Sequence, residues 1–192
     1  MKELFTEIKP KYSLESIRKE YVKGTKLDYL LFWGHQPSKD GRTTASCFSQ
    51  WWFADFESNG TKYCCMEQFM MAGKAELFGD EEILEEILKC KDPKKIKALG
   101  RKVKGFDESK WNKYKYAIVF QGNLLKFSQN PELKEFLLKT GDKVIAEASP
   151  YDGIWGIRMA ATHEHAKNPT KWRGQNLLGF ALMEVRDSLK NN

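Results

Sequence analysis

The sequence is poor in the residues that build disulfide frameworks and metal sites. Its four cysteines stand at positions 47, 64, 65 and 90 with no C-x-x-C pair. Neighbours such as Cys64 and Cys65 do not readily bridge each other. This usage excludes a disulfide scaffold or a zinc site of ordinary spacing and points to reducing, cytoplasmic surroundings. Histidine is scarcer still, with three residues. His163 and His165 flank Glu164, but i, i+2 spacing on a helix turns them apart and no third ligand follows, so no metal is expected. No apolar run nears the roughly 20 residues of a membrane span. The opening MKELFTEIKPKY lacks the apolar core of a signal peptide, so no membrane partner is expected either.

What is present is ordinary for a folded domain, with two biases. The 192 residues suffice for one domain with a real core, or less simply for two small ones. Aromatics reach 13% with six tryptophans, enough to line a cavity as well as fill a core. The formal net charge of +6 suits phosphorylated or nucleotide ligands but falls short of a nucleic-acid signature.

Periodicity and punctuation give a mainly α-helical reading with a few short strands. A short helix is expected over 13–24, a strand over 28–33 and a loop over 34–46. Extended chain is expected over 47–65, broken by an Asn59-Gly60 hairpin turn. Helices follow at about 65–77, 80–90, 92–105, 107–129 and 131–142. A strand is expected over 143–149 and a last helix over 175–190. Within the first of these later helices, Glu67, Met71, Lys74 and Phe78 would fall on nearly one line. Glu67 then heads a stripe that otherwise reads as core, where a carboxylate is costly unless it is paired or used. Two loops also stand out: EASPYDGIWGIR (147–158), with Asp152 and Trp155, and WRGQNLLG (172–179). There Arg173 and Gly174 lead into a helix start whose free N–H groups could hold a phosphate.

The segments SQWWFADFESNGTKYCCMEQFMMAGKAELFGD, LGRKVKGFD, EASPYDGIWGI and WRGQNLLGFALMEVR resemble, in order, the NADAR or YbiA-like family. The resemblance covers residues 32 to 189. It implies a compact, mainly helical YbiA-like domain over 32–190, with 1–31 an N-terminal extension packed on it. It also implies an N-glycosidase activity without cofactor or metal. Substrates of the family are ribosylamine-phosphate intermediates of riboflavin synthesis or ADP-ribose on guanine in DNA. Carried over by position, the family's glutamate is Glu67 and its lysine Lys74. Its aromatic segment is similar to Ser49, Gln50 and Trp51, and its GR turn to Gly100 and Arg101. Its D-x-x-W-G loop matches Asp152, Trp155 and Gly156, and its N-x-L-G match is Asn176, Leu178 and Gly179. Four positions depart: Gln68-Phe69 replaces the usual His-Tyr, Cys65 a serine and Gln50 an asparagine. No imidazole is therefore available at 68.

The chemistry is consistent with these residue types. Cleaving a ribose N-glycosidic bond builds oxocarbenium character at C1, which calls for carboxylates and a way to activate water. Glu67, Asp152 and Lys74 are the catalytic candidates. Ser49, Gln50, Trp51, Arg101, Trp155, Gly156, Arg173 and Asn176 are the substrate-binding ones. Lys74, Arg101 and Arg173 suit phosphate; Trp51, Trp52 and Trp155 offer ring faces. Lys74 could also keep Glu67 ionised or attack ring-opened ribose as an amine. Each residue alone has a plainer reading: Glu67 as a helix-start acid, Lys74 as a snorkelling lysine, Asp152 as a turn former, Trp155 as core. The basic run 94–104 is most simply a solvated helix face. A phosphoribosyl or ADP-ribosyl small molecule is the expected partner, with ADP-ribosylated DNA as the larger alternative. The rival from another class is a module that binds ADP-ribose or NAD without cleaving it.

Overall fold

The computed structural model describes residues 6–190 and is mainly α: seven α-helices and four short strands among the described residues. No helix among them is long and apolar enough to cross a membrane. The chain gathers into two compact units, each built from two stretches of sequence. Among the described residues the first takes 6–9 and 50–130, the second 10–49 and 131–190.

The first unit begins with the hairpin β2 (Phe53–Ser58) and β3 (Thr61–Cys65). Asn59 and Gly60 both take positive φ, the conformation a two-residue hairpin turn demands. The hairpin leads directly into α2 (Met66–Phe78), which Gly79 closes in the left-handed conformation. Asp80 then caps α3 (Glu81–Lys89) by accepting from Ile83 N. Its second oxygen accepts from Lys104 N at 2.8 Å. Asp92 and Pro93 start α4 (Pro93–Gly100) as cap and first-turn residue. Asp107 caps α5 (Glu108–Gln129).

Helix α2 is the centre of this unit. Every residue from Met66 to Gly73 is buried, so its first two turns have no solvent face; the single apolar stripe expected from spacing gives way to burial all round. Two glycines let neighbouring helices come close. A Cβ at Gly100 would lie 2.0 Å from Met71 Sδ, and one at Gly122 would lie 2.5 Å from Phe69. The latter explains why a glycine is tolerated inside the long α5. Phe56, Tyr63 and Phe69 stack the hairpin on α2, with ring centroids 4.9–5.8 Å apart. Gln129 pairs with both backbone groups of Glu57, which ties the end of α5 to β2.

The second unit holds a parallel pair, β1 (Tyr29–Phe32) and β4 (Val144–Glu147), in the register Tyr29↔Val144 to Phe32↔Glu147. Helix α7 (Leu177–Lys190) lies on β4, and the fit is tight: a Cβ at Gly179 would meet Ile145 O at 2.1 Å. Helix α1 (Leu14–Val22) starts with a reciprocal Ser13–Ser16 cap. It is fixed by Arg18, which donates to Pro169 O and Trp172 O. Helix α6 (Pro131–Leu138) completes the set.

Three boundaries differ from expectation. Residues 47–52 are not extended: a 3-10 turn (Ala45–Phe48) and a bend carry the chain into β2. Helix α4 stops at Gly100 rather than 105, since Asp80 takes the Lys104 N–H and Gly105 adopts φ 66°. Helix α6 ends at Leu138, ahead of Gly141 at φ 61°.

Candidate functional site

The candidate residues divide between the units. In the first, the hairpin-to-helix junction places Glu67 in the opening turn of α2, 2% exposed. The bend before β2 folds over that turn. Glu67 N donates to Gln50 O at 2.8 Å, and Trp51 Nε1 donates to Glu67 Oε2 at 3.2 Å. A buried carboxylate thus sits at the positive end of a helix with an indole N–H aimed at it. Gln50 is 7% exposed, and no donor among the described residues reaches its Oε1. Lys97 Nζ lies 5.9 Å from the Trp51 ring centre, on the outer limit of a cation–π contact. Sequence reasoning missed Lys97, which looked like one more solvated lysine in a basic run.

Lys74, seven positions on from Glu67, is about 10 Å further along the helix axis. Its ammonium donates to Gly100 O at 2.7 Å, 4.2 Å above the Phe106 ring. Burial lowers its pKa from the ordinary lysine value. The GR turn holds Lys74: Gly100 supplies the carbonyl, and Arg101 is exposed at the end of α4. Gln68, where the family carries histidine, is 2% exposed. It donates to Ile87 O, Leu88 O and Cys90 O and accepts from Cys64 N. It clamps the end of α3 to the start of α2, a role with no signal in the sequence.

In the second unit, Asp152 Oδ1 accepts from Ile154 N and Trp155 N at 2.8 and 2.7 Å, so the acid organises its own turn. Ser149 Oγ accepts from Tyr151 N and Asp152 N. Trp155 is 9% exposed, packed as core with little ring face to offer a ligand. Gly156 and Gly174 are demanded by backbone crossings: a Cβ would stand 2.7 Å from Glu147 O and 2.2 Å from Gly156 O respectively. Asn176 is fully buried at φ 56°, its amide bridging Ile145 O and Glu147 N of β4. Ser49 is half-buried just after the 3-10 turn, and Arg173 is exposed. The N–H groups of residues 173–178, leading into the last helix, donate to the carbonyls of Ile157, Gly153, Gly156, Ile154 and Trp155. That end of α7 holds the 153–157 loop through these bonds. His163 and His165 lie with ring centres 5.5 Å apart, His165 N donating to His163 Nδ1.

Comparison with known proteins accords with this architecture. A family model described as the NADAR domain matches residues 31–190. The chain is 45% identical to an N-glycosidase of Acanthamoeba polyphaga mimivirus over 164 residues, covering 83% of this chain and 95% of that protein. It is 30% identical to an N-glycosidase of Nostoc punctiforme over 145 residues, 76% of this chain and 86% of the other. The NMR structure of the Escherichia coli protein YbiA superposes with a TM-score of 0.68 at 24% identity, over 86% of this chain and 88% of that one, a likeness of fold. The chain belongs to the NADAR domain family, to which its N-glycosidase relatives point as well.

Proposed function

We propose that this protein hydrolyses the N-glycosidic bond between a phosphoribosyl or ADP-ribosyl group and a heterocyclic base. The observation that carries the reading is Glu67: a carboxylate 2% exposed at a helix start, accepting an indole N–H, in a chain related to N-glycosidases. In the reaction, the C1–N bond lengthens, electrons pass to the departing base, and C1 gains positive character. Glu67 stabilises that charge and takes a proton from water as the water oxygen bonds to C1. The proton then passes to the leaving nitrogen, so the products are the free base and a ribose with a C1 hydroxyl. The Trp51 N–H holds the carboxylate in one orientation. Lys74, Arg101 and Arg173 are the proposed phosphate partners, and Asp152 the proposed ribose contact through its second oxygen.

Two substrates fit: a ribosylaminopyrimidine phosphate of riboflavin synthesis, and ADP-ribosylated guanine in DNA. The exposed Lys94, Lys95, Arg101 and Lys102 favour the second, since a polyanion would meet several cations at once. The test incubates the purified protein with both substrates and follows released base or ADP-ribose by mass spectrometry, with Glu67→Gln as control. Release from at least one substrate is expected, reduced a hundredfold or more in the variant, within the usual range of about 10²–10⁴ for a positioned acid or base. Equal turnover by Glu67→Gln would remove Glu67 from the reaction. Tight ADP-ribose binding with no release from either substrate would replace the hydrolase with a binding module.

A further inference from the structure

The second unit exposes two large aromatic rings side by side. Trp33 is 57% exposed and Tyr151 84%, yet their ring centres lie 6.2 Å apart, tilted by 56°. Both follow directly from the parallel pair. The last ladder bond runs from Ala148 N to Phe32 O at 2.7 Å, Trp33 is the next residue on one strand, and Tyr151 emerges three residues later on the other. The carboxyl ends of parallel strands are where loops diverge and ligands commonly bind.

Neither ring is on loose chain. Ser149 Oγ takes the N–H groups of Tyr151 and Asp152, Met159 N donates to Ser149 O, and Arg158 N donates to Asp152 O. Gly34, at φ 88°, turns the chain away immediately after Trp33. Two rings held in water on fixed backbone are costly to leave unused, and preorganised for a flat partner. Trp155, one of the three tryptophans the sequence offered as ring faces, is packed as core.

We propose that Trp33 and Tyr151 form a stacking surface for the heterocyclic base of a nucleotide. Asp152, next in sequence to Tyr151, stands on the same loop as that tyrosine. This inference rests on the N-glycosidase reading in naming the ligand as the base of a phosphoribosyl compound. It predicts that recognition depends on a flat π face more than on particular ring substituents, because every base presents one.

The experiment compares AMP with ribose 5-phosphate, which differ by the base alone, using calorimetric titration of the intact protein. Wild type is expected to bind AMP at least tenfold more tightly. Trp33→Ala and Tyr151→Ala should each weaken AMP by about tenfold, the scale of losing one stacked base, with ribose 5-phosphate within twofold of wild type. Trp33→Phe should restore most of the loss, and Tyr151→Leu, which keeps bulk without a π face, should not. Because both side chains are exposed, unchanged thermal midpoints are expected alongside. Equal affinity of wild type for the two ligands would overturn the proposal, as would parallel weakening of both ligands in the alanine variants. The outcome is separable from the hydrolase test: loss of turnover in Glu67→Gln with no base-dependent effect at Trp33 and Tyr151 keeps the enzyme and removes the stacking surface. The converse keeps base binding and removes hydrolysis.

Discussion

The motif residues of the two units have different physical duties. In the first unit they are side chains with chemistry: the Glu67 carboxylate, the Trp51 indole and the Lys74 amine, each held by specific contacts. In the second they are largely backbone devices. Gly156, Gly174 and Gly179 sit where another chain segment passes within 2.7 Å of any Cβ, and Asn176 replaces missing backbone partners of β4 with its amide. A recurring motif can therefore mark a reaction centre in one unit and a fold requirement in the other. The spacing of letters does not say which.

Substitutions can break that contrast, and the largest effect is expected where no side chain fits. Gly179→Ala drives a methyl into Ile145 O, and overpacking of this kind costs about 3 kcal/mol or more when backbone must move. Urea denaturation should show the loss, and activity should fall only in step with the folded fraction. Gln68→Ala comes next. It leaves three carbonyls around Ile87–Cys90 and the Cys64 N–H without their partner, for a destabilisation of about 2–3 kcal/mol by the same measurement. A fold as stable as wild type would show that water replaces the clamp at no cost.

Trp51→Phe removes one N–H while keeping a ring, and should lower kcat by roughly tenfold with little change in stability, matching the loss of one hydrogen bond to a charged group. An unchanged kcat would mean that the Trp51 N–H does not orient Glu67 for the reaction. The smallest effect belongs to the second unit's surface. Burial works against ionisation of Asp187, but hydrogen bonds from Lys11 and Tyr12 outweigh it, and its pKa lies below the ordinary aspartate value. A depressed folded-state pKa means stability present above the unfolded value of about 3.9 and lost as pH falls through the folded one. Asp187→Asn should flatten the decline in thermal midpoint below about pH 4 and leave neutral pH little changed apart from the lost ion pair.

Helix starts were legible because capping is local. Ser13, Asp80, Asp92 and Asp107 each accept from an N–H two or three residues ahead, and each stands just before its helix in the sequence. The Asn59-Gly60 turn was legible for the same reason: both residues tolerate positive φ. The bend at 47–52 was not, since aromatic-rich chain reads as strand until the α2 start claims Gln50 O and the Trp51 N–H. The length of α4 was also hidden, because what takes the Lys104 N–H is Asp80, far back in the chain. For the site, Glu67 was legible as a charge out of place in apolar sequence. Gln68, Lys97 and the Trp33–Tyr151 pair were not, since nothing near them in sequence reveals their partners.

By itself, then, the sequence determined the helices, the hairpin, the family and the carboxylate, all of which depend on residue type and near-neighbour spacing. Tertiary structure alone decided that α2 is buried on every side, that β1 pairs with β4, and that Trp155 packs inward while Tyr151 faces water. It also decided that the N–H groups at 173–178 are already bonded. These depend on which distant segments meet, and burial and hydrogen-bond saturation exist only once they have met.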